Sequence, residues 1–239
     1  MTKIHAHRGA SAERPENTMA AFRRAKEMGA YGIEMDVHLL NDGTLAVHHD
    51  TDLGRCDNAT GRITSFDYNT IRSFSVGEKF SPEYKEERIP YFTELLEFLQ
   101  KNPIFLNCEI KALEENVDHI AVPVLQMLEA YHMSDKCIIS CFHASVLDEI
   151  KEKFPQYKVG WLTDGKMENL QYCIDHHFEA VHPYYEEITP EYVKYAHDHN
   201  VMVNVWTVDN EKDIQRMKDC GVDIVISNDV ATAQKVLGK

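Results

Sequence analysis

Short runs in which apolar and polar residues alternate recur along the chain, and most are followed by a stretch of helical period. Ile4–His7 alternates and ends at Arg-Gly, which predicts a strand running into a loop. Pro15 and Asn17-Thr18 signal a helix start. Ala20, Ala21, Phe22, Ala25 and Met28 supply that helix's apolar face, and Gly29 ends it. Tyr31–Val37 predicts the second strand, with Ile33, Met35 and Val37 alternating against Glu34 and Asp36. Asn41-Asp42-Gly43 is a turn, and Thr44–His48 is the return limb of a hairpin.

The pattern breaks over residues 50–90, which are rich in Asp, Asn, Thr, Ser and Gly and have no strong period. They predict a long excursion with one short helix near Tyr68–Ser73, of the kind that is functional or disordered. Order resumes with a helix over Phe92–Gln100, with Leu95, Leu96 and Leu99 on one face. Further strands are expected at Phe105–Ile110, Lys136–Cys141, Lys158–Leu162, Glu179–His182, Met202–Trp206 and Asp223–Ile226. Helices are expected at Val117–Tyr131, Ala144–Lys153, Met167–Asp175, Pro190–Asn200, Glu211–Cys220 and Val230–Leu237. Strands alternating with helices of this length imply right-handed βαβ units and a parallel sheet. Eight such units in 239 residues fit an α/β fold of the TIM (β/α)8 barrel type. The expectation is one catalytic domain over residues 1–239, with a small insertion after the second strand at about 50–90. A doubly wound open sheet is the structural alternative. It usually has fewer strands, and His-Arg-Gly-Ala-Ser-Ala after the first strand is not a dinucleotide loop.

Composition narrows the partners. The 25 Lys and Arg against 39 Asp and Glu give a formal charge of −14. A field of that sign repels nucleic acid and anionic lipid, and repels an anionic substrate unless local cations reverse it. The six cysteines include no Cys-x-x-Cys pair and read as reduced, mostly buried thiols. The opening MTKIHAHRGA has no apolar run of signal-peptide length, and no stretch reaches the roughly 20 apolar residues of a membrane span. A cytoplasmic protein with a small-molecule partner and no stable membrane insertion is expected. A homo-oligomer is compatible with the chain, although no exposed apolar stripe marks an interface.

Active sites of such barrels sit at the C-terminal strand ends. There the chain places His7-Arg8, Glu34-x-Asp36, Glu109-x-Lys111, Phe142, His182, Trp206 and Ser227-Asn228. Glu34 and Asp36 are two apart and face the same way, and Glu109 stands at the matching level of the next strand. Three converging carboxylates repel one another unless they share a proton or bind a hard cation. Oxygen ligands favour Mg²⁺ or Ca²⁺, while nearby histidine keeps Mn²⁺ and Zn²⁺ open. Simple pairing with Arg8 or Lys111 explains one such carboxylate more easily than three. His7 and His49 are candidate acid/base groups, and His48, facing the other way, should not be. His176-His177 and His197-x-His199 read as exposed helix ends. Arg8 and Lys111 beside a cation describe a phosphate clamp, and Trp206 could pack on a substrate's carbon skeleton or in the core. No nucleophile elbow, Walker loop or His-Glu-x-x-His helix is present.

These residues resemble the glycerophosphodiester phosphodiesterase family over nearly the whole chain. The matching pieces are His7-Arg8-Gly9, Pro15-Glu16-Asn17-Thr18, Ala21-Phe22, Gly29-Ala30, Glu34-Met35-Asp36-Val37 and Asp42-Gly43. They continue with His49-Asp50, Leu53, Arg55, Ile89-Pro90, Glu109-Ile110-Lys111 and Val205-Trp206-Thr207-Val208. Leu40 and Cys56 depart from it, standing where threonine is common. The resemblance implies a TIM barrel with an insert and a divalent cation on Glu34, Asp36 and Glu109. It also implies acid/base roles for His7 and His49, and phosphate contacts from Arg8 and Lys111. The implied reaction cleaves glycerophosphodiesters, such as glycerophosphocholine and glycerophosphoethanolamine, to sn-glycerol 3-phosphate and an alcohol. The attacker is either the substrate's neighbouring hydroxyl, giving a cyclic phosphate that water opens, or water itself. A lysophospholipase D-type activity on the same barrel is the alternative, with Phe66, Tyr68, Phe74, Phe80 and Tyr84 as candidates for an acyl groove. A barrel that binds without turnover is disfavoured, because both histidines are present.

Overall fold

The structure is a computed structural model that describes residues 1–238. Eight parallel strands close into a barrel, in the order Lys3–Ala6, Gly32–Leu39, Phe105–Ile110, Cys137–Cys141, Lys158–Thr163, Ala180–Pro183, Met202–Val205 and Ile224–Ser227. The first strand closes the ring by pairing with both the eighth (Lys3↔Ile224 to Ala6↔Ser227) and the second (His5↔Gly32, Ala6↔Ile33). The barrel expected from the alternating pattern is therefore the observed fold. The second strand runs two residues beyond its predicted end because Leu45–Val47 pairs antiparallel with Val37–Leu39.

Helices cover the outside and bury their apolar faces on the strands. Met19–Glu27 is capped by the Thr18 side chain, which accepts from the Ala21 N–H, and it buries Ala21, Phe22 and Ala25. The helix expected over Val117–Tyr131 begins only at Ala121. Pro123 lies in its first turn, where a missing N–H costs nothing, but its ring would clash with the carbonyl of His119 if the helix began earlier.

Residues 50–90 are ordered. They hold a two-residue antiparallel pair (Asp52–Leu53 with Gly61–Arg62) and a short helix, Tyr68–Ile71. Leu40, Ala46, Leu53, Ile63, Tyr68, Ile71, Val76 and Ile89 form a second apolar cluster there. The sequence pattern hides this order because the cluster is assembled from residues scattered over fifty positions, with no period.

The barrel interior is unusually polar. His5, Asn107, Ser140, His182 and Asn204 are all buried. Gly160 makes room for one ring, since a Cβ there would lie 2.3 Å from His182 Nε2. This corrects the sequence reading of His182 as a strand-end residue. The strand runs on to Pro183, and the imidazole turns into the barrel, where Nε2 accepts from Asn204 Nδ2 at 2.9 Å.

Burial lowers His5, His38 and His182 from 6.5 to about 3. An unfolded chain protonates each ring below 6.5, while the folded chain does not until about pH 3. Their contribution to stability is therefore complete above pH 6.5 and is lost as pH falls. Each ring should add a slope of about 1.4 kcal/mol per pH unit below that value. Thermal melts between pH 6.5 and 5 should fall less steeply for His182→Gln than for wild type. Parallel slopes would mean that this ring does not stay neutral in the fold.

Candidate active site

The first loop is shaped by backbone conformations that only certain residues tolerate. The His7 N–H donates to Ser227 O at 2.9 Å and extends the strand pairing by one residue. Arg8 then takes φ +55°, which aims its backbone N–H at Glu34 Oε2, 2.9 Å away. Gly9 follows at φ +80°, where a Cβ would sit 2.7 Å from the Ala21 backbone; the loop can pass the helix only without a side chain. Asn17, also left-handed at φ +54°, donates from Nδ2 to Asp36 Oδ2 at 2.7 Å. The His-Arg-Gly and Pro-Glu-Asn-Thr pieces thus do the same structural work, fixing hydrogen-bond donors on the second strand's carboxylates.

Asp36 is in register with Glu109 of the third strand. One oxygen each from Glu34, Asp36 and Glu109 lies within 4.8 Å of the others, and all three residues are buried. Lys111 Nζ lies 2.5 Å from Glu109 Oε1 and 3.0 Å from Asp36 Oδ1. Arg8 Nε is 3.6 Å from Asp36 Oδ2. Burial opposes ionisation of Asp36, but Lys111 and Arg8 overcome it and hold this carboxyl below the usual range. Burial, then the charges on Asp36 and Glu109, push Glu34 well above its ordinary value. Burial carries Glu109 up to about 7 against the pull of Lys111. Fully ionised, three carboxylates and two cations leave one net negative charge. An all-oxygen cluster that resists its own ionisation suits a hard divalent cation, which would make the site net positive.

Both candidate histidines have their ring orientation set. Asn228 Nδ2 donates to Asp209 Oδ2 at 2.7 Å, which turns its carbonyl oxygen toward His7 Nδ1 at 2.8 Å. His7 therefore carries its proton on Nδ1, and Nε2, 3.9 Å from Glu34 Oε2, holds a lone pair. Burial, then Arg8, drives His7 down to about 4. His49 Nδ1 donates to Asp50 Oδ1 at 2.7 Å, and His38 Nε2 holds the His49 carbonyl at 3.1 Å. Burial lowers His49, while Asp36 and Asp50 support its charged form. Asp50 is gripped by Arg55, Arg55 binds both oxygens of Glu16, and Glu16 holds Arg8 at 2.8 Å. This ion-pair chain joins the first loop to the insert.

His7, Arg8, Glu34, His49, Glu109 and Trp206 meet around one cavity of about 90 Å³. Asn107 and Ser140 floor it, and Phe142, Leu162 and Ile226 add apolar wall. Asp36 and Lys111 lie behind the wall, and the Lys111 ammonium is turned onto the carboxylates. Trp206 donates from Nε1 to His182 O at 2.7 Å and meets Phe142 edge-on at 5.6 Å, so its ring is held as part of the wall. His48 is buried away from the cavity, as its alternate position requires, and His176 and His197 pair with Asp148 and Asp223 on the surface. Sequence reasoning passed over Asn107 and Ser140 as site parts, and it placed Asp50 and Asn228 near the site without giving them a role. The first two were legible from period two alone, since Asn107 precedes Glu109 by two on the same strand and Ser140 stands opposite Glu109.

Residues 7–232 match the model of the Glycerophosphoryl diester phosphodiesterase family. A glycerophosphodiester phosphodiesterase of Caldanaerobacter subterraneus subsp. tengcongensis is 35% identical over 239 residues, covering 100% of this chain and 98% of the relative. One from Bacillus altitudinis is 32% identical over 99% of this chain and 98% of its own length. Among solved structures, a phosphodiesterase of Oleispira antarctica in complex with the product sn-glycerol-3-phosphate superposes with a TM-score of 0.94 at 23% identity, covering 100% of this chain and 98% of that one. A glycerophosphodiester phosphodiesterase of Parabacteroides distasonis superposes at 0.86 with 28% identity, over 99% and 97% of the two chains. With the whole catalytic face inside that match, this chain belongs to the glycerophosphoryl diester phosphodiesterase family and is a phosphoric diester hydrolase acting on glycerophosphodiesters.

Proposed function

We propose that the chain hydrolyses glycerophosphodiesters of the glycerophosphocholine and glycerophosphoethanolamine type to sn-glycerol 3-phosphate and an alcohol. His7 and His49 act as the acid/base pair, and Glu34, Asp36 and Glu109 hold a divalent cation, Mg²⁺ or Ca²⁺. One observation carries this reading. Two imidazoles with Nδ1 committed to Asn228 and Asp50 present Nε2 beside a cavity walled by Arg8 and the carboxylates. The Oleispira protein's bound product belongs to the same chemical class.

When bound, the cation supplies a Lewis-acid contact for a phosphoryl oxygen and turns the local charge from negative to positive. Arg8 adds a fixed guanidinium for charge that builds on the non-bridging oxygens. Lys111 holds Asp36 ionised, opposes without overcoming the burial that raises Glu109, and reinforces that field from behind the wall. One histidine Nε2 takes the proton of the attacking hydroxyl, and the other ring returns a proton to the leaving alcohol. Asp50 stabilises an imidazolium at His49, which favours His49 as the donor. Phe142 and Trp206 give the alcohol portion an apolar wall.

Of the five aromatics that could line an acyl groove, Phe66, Tyr68 and Phe74 are packed into the insert's own cluster, which leaves only the edge-to-face pair Phe80 and Tyr84 outside it and favours the short glycerophosphodiester over a lysophospholipid.

His7→Ala and His49→Ala should each lose roughly 10²–10⁴-fold in kcat with glycerophosphocholine, measured by coupled detection of glycerol 3-phosphate. Near-normal turnover in either variant would remove that residue from the mechanism, and faster cleavage of a lysophospholipid would replace the proposed substrate. Excess chelator should abolish activity, and added Mg²⁺ or Ca²⁺ should restore it.

Stability gives a second test of the same cluster. Glu34 and Glu109 have raised folded-state values, so the stability tied to their bound protons is present below about 4.5 and is lost as pH rises through their folded values, about 7 for Glu109. At pH 8 without metal, Glu34→Gln should therefore be more stable than wild type, on the order of 1–2 kcal/mol by denaturant melts. The same change should remove the stabilisation that Mg²⁺ or Ca²⁺ gives the wild type. A destabilised, still metal-responsive variant would contradict the repulsion.

A further inference from the structure

Beside His49, metal-ligating atoms converge a second time. One ligand atom each from His48, Asp50 and Cys56 lies within 4.8 Å of the others. The donor set is unlike the first: one imidazole nitrogen, one carboxylate oxygen and one sulfur. His48 is only 3% exposed, and its Nε2 makes no hydrogen bond, lying 3.7 Å from Asp57 Oδ2. A buried ring nitrogen without a hydrogen bond is a standing cost that a ligand can remove. Asp57 stands too far off to meet that need at 3.7 Å, and its oxygens accept from the N–H groups of Gly54 and Ala59, which shapes the turn that carries Cys56. Cys56 is half-buried and in no disulfide. Its thiol faces an acidic surround: burial, then the charges of Glu16, Asp57 and Asp50, push it up to about 12 despite Arg55. A cation would reverse that field.

We propose that His48, Asp50 and Cys56 form a site for a thiophilic divalent cation of the zinc class, distinct from the Glu34–Asp36–Glu109 cluster. Sulfur with imidazole selects Zn²⁺ over Mg²⁺ or Ca²⁺, and three protein ligands with water in the fourth position is an ordinary zinc arrangement. Tetrahedral bonds of about 2.0–2.3 Å put ligand atoms about 3.3–3.8 Å apart, so the three atoms, now within 4.8 Å of one another, need close by about 1.5 Å at most. Binding replaces the S–H bond of Cys56 with a metal–thiolate bond and releases that proton to solvent.

The site shares Asp50 with the reaction. Asp50 Oδ1 holds His49 Nδ1 at 2.7 Å, and Arg55 grips Oδ2. A cation on Asp50 draws charge from the carboxylate that supports His49, so occupancy lowers turnover. This consequence rests on the proposed role of His49, whereas the binding itself does not.

The test uses the full chain with Mg²⁺ in excess, titrated with Co²⁺ and followed by optical absorption. One equivalent of Co²⁺ should give a thiolate-to-cobalt charge-transfer band in the near ultraviolet, which an all-oxygen site cannot produce. Cys56→Ala should lose the band, and His48→Gln should weaken binding by roughly 10–100-fold, the scale on which even a metal site's outer partners act. Zn²⁺ should lower wild-type turnover by roughly tenfold, a fraction of what a general acid or base contributes. It should leave Cys56→Ala unaffected, and that variant's retained basal activity shows that it folds. A missing band at saturating Co²⁺, or one that survives Cys56→Ala, overturns the site. Equal zinc inhibition of both proteins places zinc at the carboxylate cluster and overturns the coupling. Loss of activity in zinc-free His49→Ala checks the catalytic reading separately.

Discussion

Like-charge repulsion among Glu34, Asp36 and Glu109 is the constraint to which the rest of the catalytic face answers. The parallel register puts Asp36 level with Glu109, and period two puts Glu34 on the same side. Water cannot screen them there. Each neighbouring group meets part of that strain: the Arg8 backbone N–H on Glu34, the Asn17 amide on Asp36, the Lys111 ammonium between Asp36 and Glu109. What remains is carried as raised proton affinity on Glu34 and Glu109. The strained conformations of Arg8 and Asn17 persist because they deliver these hydrogen bonds, as is usual of strain at functional sites.

The histidines depend on the same scaffold by a different route. His7 leaves the first strand and is oriented from the eighth through Asn228 and Asp209, so its position depends on barrel closure. His49 follows the return strand and is oriented by its neighbour Asp50, which belongs to the ion-pair chain running through Arg55 and Glu16 to Arg8. The insert is therefore tied electrostatically to the first loop, and its scattered apolar residues form a cluster that keeps that tie in place.

Much of this was legible in the sequence, and the limits have physical causes. Alternation found the eight strands, and the spacing of Glu34, Asp36 and Glu109 foretold their convergence, because strand geometry converts spacing directly into direction. Helix ends at Ala144–Lys153 and Met167–Asp175 agree to the residue with expectation. Periodicity does not report which neighbour captures a long side chain, so Lys111 read as a phosphate contact, although its ammonium lies on the carboxylates. It also could not show that Gly160 admits the His182 ring to the barrel, since that vacancy exists only between paired strands. Apart from the short helix expected near Tyr68–Ser73 and found at Tyr68–Ile71, order in residues 50–90 was invisible for the same reason, being built from long-range contacts.

The central claim is that the carboxylate cluster stores protons which a hard cation displaces. Calorimetric titration of Mg²⁺ or Ca²⁺ at pH 6, in buffers of different ionisation enthalpy, counts those protons directly. The account expects about one or more protons released per cation, from Glu34 and Glu109, and a smaller number at pH 8. Binding with no proton release and equal affinity at both pH values would contradict it.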